Sequence, residues 1–150
     1  LALAATACGP PARTLAQLTE KLERHVPPAG QQASVALHDV FGANLRAVCV
    51  VASFLSERAI VENSARSTNA RELLPALRLQ YSDSERISLY VFDREGRMSE
   101  RYLLGASGVG VTIHPTRGGS MACHAPNELI EIERGEWGRI IITFPDLPNQ

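Results

Sequence analysis

Three cysteines and four histidines carry the most specific chemistry in this 150-residue chain: Cys8, Cys49 and Cys123, with His25, His38, His114 and His124. An odd number of cysteines leaves one thiol over once two have joined as a disulfide. Cys49 in "RAVCVVASF" and Cys123 in "GSMACHAP" sit in apolar, strand-like contexts that suit a small buried sulfur. They are expected either to bond to each other or to remain two free core thiols. A bond between them would close a loop of about 70 residues, for which loop-closure entropy gives about 4 kcal/mol. Cys123 and His124 are adjacent, but neighbours on a strand point to opposite faces, so the imidazole is poorly placed to activate that thiol. His25 falls in the last turn of a helical pattern, where a cation suits the helix dipole, and His38 reads as a strand or turn side chain.

Other chemistry finds little support. His114, Cys123 and His124 contain no compact ligand pair at a recognised metal spacing. "RGGSMA" around Ser120 lacks the second glycine of a nucleophile elbow, and "GASGVGVT" lacks the Gly-Lys-Ser/Thr of a phosphate-binding loop. No catalytic residue, cofactor or metal is therefore expected. The segment that stands out is "GASGVGVTIHPTRGGSMA", residues 105–122, because long glycine-rich connections in compact domains tend to be functional or disordered. Within it Ile113 offers an apolar anchor, His114 a titratable ring and Arg117 a fork-shaped donor for an acidic partner. The plainer reading is a crossover, part strand at "GVTIH", fastened by a Cys49–Cys123 bridge.

The remaining cysteine sets the compartment. In "LALAATACGPPA" a small and apolar run leads through "ATA" to Cys8, after which Gly and two prolines follow. Small residues in that spacing fit signal cleavage just before Cys8. The arrangement resembles the lipobox of bacterial lipoproteins, although Ala5 stands where leucine is most common. That resemblance implies a diacylglycerol thioether on Cys8, removal of residues 1–7 as the remnant of a signal peptide, and an acylated new amino terminus. Gly9 after the cysteine implies sorting to the periplasmic face of the outer membrane, with a soluble periplasmic or secreted form as the alternative. At about 0.8 kcal/mol per buried methylene, several acyl chains hold a domain at a bilayer essentially permanently. Residues 8–13 then serve as a tether, which Pro10 and Pro11 keep out of regular structure.

The elements that position these residues are legible as patterns. One domain over residues 14–150 is expected from the length, and 45% hydrophobic residues with a net charge of −1 fit neither disorder nor a nucleic-acid-coating protein. The arginine-rich, lysine-poor usage reads mainly as codon bias. Leu15, Leu18, Leu22 and Val26 make an amphipathic helix with Thr14 as N-cap and Pro27-Pro28 as its stop. "ASVALHDVF" reads as a short strand or a helix, and "RAVCVVASFL" as a strand buried on both faces. "SERAIVENSA" and "TNARELLPALRLQ" are helical, with Pro75 a kink or a first-turn residue. "RISLYVFDREGRMSERYLL" and "NELIEIERGEWGRIIITFP" are hairpins, turning at residues 93–96 and near Arg134-Gly135. The expected fold class is α+β: a single domain with an antiparallel sheet of hairpins, an N-terminal amphipathic helix and a helical middle segment.

This order of parts is similar to a group of small, poorly characterised bacterial envelope lipoproteins, on Val48-Cys49, Leu89 to Arg97 and Cys123. The similarity implies a structural or inhibitory role and supplies no reaction. The sequence reading is therefore a membrane-anchored, non-enzymatic periplasmic lipoprotein that binds a protein, as an immunity or inhibitor protein or an envelope assembly accessory. Its implied partners are the bacterial membrane, through acyl chains such as palmitate on Cys8, and a protein, with no nucleic acid. The contrasting expectation is a small secreted hydrolase or ligand carrier.

Overall fold

A computed structural model describes residues 9–51, 56–64, 68–80, 87–104, 111–114 and 121–145. Strand β1 (Ala12–Arg13) is followed by helix α1 (Leu15–Glu23), β2 (Gln32–Ala36), the short helix α2 (Leu37–Phe41) and β3 (Leu45–Val51). Helices α3 (Glu57–Ser64) and α4 (Thr68–Gln80) form the middle segment. Then come β4 (Ile87–Asp93), β5 (Met98–Leu104), β6 (Val111–His114), β7 (Met121–His124), β8 (Leu129–Arg134) and β9 (Ile140–Thr143), with a 3₁₀ turn at Glu136–Gly138. The class is α+β with strand predominating.

The strands make two sheets rather than the one antiparallel sheet expected. The first has the order β1-β5-β4-β3-β7 and the second β2-β8-β9-β6. Both are mixed, because β1 runs parallel to β5 and β6 parallel to β9. Hairpins announce themselves by a local turn, whereas Ala12 opposite Arg101 or Val111 opposite Ile140 joins segments with no turn between them.

Period-two alternation sends neighbouring residues of the first sheet into different cores. Val48 and Val50 of β3 join Leu89, Val91 and Tyr102 in one cluster, together with Ile130, Ile132, Ile140 and Ile142 of the second sheet and Leu18 and Leu22 of α1. Ala47, Cys49 and Val51 instead join Tyr90 and Phe92, under Ile60 of α3 and Leu73 and Leu77 of α4. The first sheet is thus covered on both faces, as the continuous apolar run of β3 predicts. Arg46 adds an ion pair to Glu72 of α4 beside this second cluster.

The first helix starts as its sequence requires. The Gln17 backbone N–H donates to the Thr14 hydroxyl at 3.2 Å and the Thr14 backbone N–H donates to Gln17 Oε1 at 2.8 Å, a reciprocal cap whose removal costs about 1 kcal/mol. Leu18 and Leu22, fully buried, contribute about 1.5–3 kcal/mol each. The helix ends at Glu23, so His25 lies beyond its last turn, and the His25 backbone N–H donates to Leu22 O at 2.8 Å. "ASVALHDVF" is both strand and helix. The backbone N–H groups of Leu37 and His38 donate to Glu128 and Pro126 carbonyls, so a neighbouring loop satisfies the donors that open α2 while Leu37 and Val40 turn into the core. Pro75 sits in the interior of α4, not in its first turn.

Candidate functional site

β7 is one of the two edge strands of the first sheet and carries the chemistry of the C-terminal half. Its pairing with β3 puts Cys49 directly opposite Cys123, and the two are joined as a disulfide with Cα atoms 4.0 Å apart. Both are buried in the cluster under α3 and α4. The alternation that turns Cys123 toward the helices turns His124 the other way, as the sequence predicts, so this imidazole does not reach the sulfur's side of the sheet.

His124 is fully buried and has a carboxylate partner four residues on. Its Nδ1 lies 2.6 Å from Glu128 Oε2, and its ring lies against Phe144 with centroids 4.9 Å apart. Burial pushes the Glu128 carboxyl up, but the hydrogen bond and charge of His124, helped by a backbone bond from Ala125, outweigh it and hold the group below the ordinary glutamate value. An ionised carboxylate only accepts, so Nδ1 carries the proton. Nε2 has no hydrogen-bond partner among the described residues. A carboxylate-oriented imidazole is the pair a hydrolase would need, yet here the ring is inaccessible and Glu128 is its more exposed member. In this position the pair secures the 125–128 loop on which α2 begins.

Of the residues proposed to form a partner-binding loop, Ile113 and His114 fall on β6. Ile113 is only 5% exposed and belongs to the core shared by the two sheets, so it is not available as a surface anchor. The parallel register with Ile142 explains this, since Ile113 continues the inward face of β9. His114, the next residue, is exposed. Arg117 lies outside the described residues, as does Cys8. Among the described residues no three His, Cys, Asp or Glu side chains gather as a metal ion would require, and no helix is long and apolar enough to cross a membrane.

A second polar cluster lies where the chain enters the fold. Ala12 and Arg13, read from the sequence as the end of the tether, form β1 on the edge of β5. Arg13 and Lys21 both bind Glu100 Oε1, at 2.7 and 3.2 Å, and the Tyr102 hydroxyl donates to the same oxygen at 3.2 Å. Burial and then the Glu100 charge push the Tyr102 phenol up to about 12. Lys21 also lies over the Phe41 ring, 5.7 Å from its centroid. The result is a mostly buried carboxylate that ties β1, α1 and β5 together.

Sequence reasoning placed a turn near Arg134-Gly135 and gave no role to Trp137, the only tryptophan in the chain. Trp137 is 98% exposed at the tip of the β8–β9 hairpin, with a left-handed φ of 61°. Around it the tip is built firmly. The Gly135 backbone N–H donates to Arg139 O at 2.7 Å, and Arg134 donates to Gly138 O at 3.0 Å and pairs with Glu23 of α1 at 2.8 Å. A Cβ on Gly135 would meet Ile141 Cδ1 at 2.7 Å, so a side chain there would require the Ile141 methyl to shift. The available signal was a large aromatic residue between two glycines in "RGEWGR", where a turn usually carries small polar residues.

No protein-family model, curated protein or solved structure matches this chain.

Proposed function

We propose that the chain is an exported bacterial lipoprotein, anchored through Cys8 at the periplasmic face of the outer membrane, whose domain binds a protein partner and catalyses no reaction. The immunity or inhibitor role is the concrete form of this reading, and envelope assembly is its second form. The observation that carries it is the Cys49–Cys123 disulfide, since structural disulfides persist in oxidising compartments and are rare in the cytosol. With those two sulfurs spent on each other, Cys8 is the cysteine left for a lipid. It stands four residues before β1, a spacing suited to a short tether. The hydrolase or carrier alternative needs a pocket lined by convergent polar groups, and the His124–Glu128 pair has its ring buried.

Intact mass spectrometry of the full precursor, produced in a Gram-negative host and alkylated with and without reductant, tests this. The expected product begins at Cys8, carries acyl mass and shows two thiols only after reduction. An unprocessed chain with three free thiols would overturn export and anchoring together. For the partner-binding segment, Arg117→Glu is expected to weaken a complex with an acidic partner while leaving the unfolding curve unchanged. Unaltered affinity removes that segment from the interface.

A further inference from the structure

The geometry points to the β8–β9 tip as a preformed docking element, with Trp137 as an anchor that enters an apolar, basic-rimmed pocket on a folded protein. This rests on the proposed partner-binding function and names where the partner engages.

The backbone supplies the first argument. A non-glycine residue at φ 61° pays a steric cost, and a large aromatic one is an uncommon occupant of that conformation. Trp137 gets no intramolecular burial in return, being 98% exposed, although glycine lies on its C-terminal side at φ 74° and would suit its own place. The hydrogen bonds of Gly135, Arg139 and Arg134 hold the turn in one shape, so an indole presented there loses little freedom on binding. Tryptophan in a desolvated pocket is the residue type that most often dominates an interface.

Charge and placement identify the partner. Arg134 is already engaged by Glu23 and Gly138 O, and Arg139 at the base of the turn is half-buried, so Glu136, exposed beside the indole, is the most exposed charge of the tip. A basic rim complements that carboxylate and can also stack on the indole face. An anionic bilayer, by contrast, would repel Glu136. The Arg134–Glu23 pair also puts the tip at the C-terminal end of α1, whereas Arg13 and the tether join at its other end.

Being the sole tryptophan, Trp137 reports on its own surroundings. A photo-cross-linking phenylalanine analogue at position 137, and separately at 114, would be introduced into the full-length protein in its own cells. The purified captured protein is then titrated against the unlabelled domain. The expected result is one protein trapped from position 137 that shifts the tryptophan emission to the blue. Trp137→Asn, which tolerates the same backbone, should weaken that complex about thirtyfold, and Glu136→Lys should weaken it further. Capture from 114 alone overturns the docking tip but leaves partner binding standing; capture from neither position overturns both. A blue shift on vesicles of phosphatidylethanolamine and phosphatidylglycerol, matching that seen with protein, would assign the indole to lipid and overturn the proposal.

Discussion

The two hairpins solve the same turning problem in opposite ways. Between β4 and β5, Asp93 accepts from the backbone N–H groups of Glu95 and Arg97 at 3.0 and 2.9 Å, and Gly96 takes the left-handed position at φ 78°. Every residue there does what its chemistry favours. Between β8 and β9 the bulkiest side chain in the protein occupies a left-handed position and turns wholly to solvent. The contrast separates a turn shaped by stability from one shaped by what it displays. The aromatic residues nearest each turn make the same point: Phe92 is fully buried under α4, and Trp137 covers nothing.

Phe92→Ala gives the largest expected effect, a loss of about 3–5 kcal/mol in urea unfolding. A loss well under that range would mean that the core beneath α4 is loosely packed. Asp93→Ala removes two backbone partners and should cost about 1–2 kcal/mol, read from the same midpoint shift. The opposite sign is expected at the other turn. Trp137→Gly relieves about 1–2 kcal/mol of left-handed strain against about 0.5–1 kcal/mol of added unfolded-chain freedom, for a net gain of up to about 1.5 kcal/mol. A destabilised Trp137→Gly variant would collapse the contrast, making the indole structural after all.

The smallest effect lies at the foot of β8. Glu128 is held below its ordinary value, so its contribution is present above the unfolded glutamate range near 4.5 and is lost as pH falls through the folded value. Unfolding free energy measured across the acid range should therefore fall with decreasing pH in the wild type and fall less steeply in Glu128→Gln. Parallel curves would show that His124 does not favour the charged carboxylate.

What the sequence made legible follows from the range of each signal. Thr14 and Gln17 are three residues apart, and the turn at Asp93 to Gly96 is self-contained, so cap and hairpin could be read locally. The opposite facing of Cys123 and His124 needed only strand periodicity, and the nearly all-apolar run of β3 announced its two cores. Sheet membership was not legible, because β6 meets β9 in parallel and β1 meets β5 across the length of the chain. Ile113 misled for the same reason: its segment looked like an open glycine-rich connection, and only the partner strand Ile140–Thr143 turns that side chain inward. Trp137 was visible as a residue but not as a tip, since exposure at a turn depends on the framework behind it.

The short parallel pairing of β1 with β5 also determines how the domain would respond to a pull on its amino terminus. Load applied there meets Ala12 and Arg13 first, a two-residue pairing reinforced mainly by the Arg13–Glu100 contact. The load reaches the cross-linked β3–β7 ladder only afterwards. Peeling Ala12 and Arg13 from the sheet edge would add about 7 Å of extended chain to the leash while both cores stay closed, so β1 acts as a mechanical fuse between whatever holds the chain and the domain it carries.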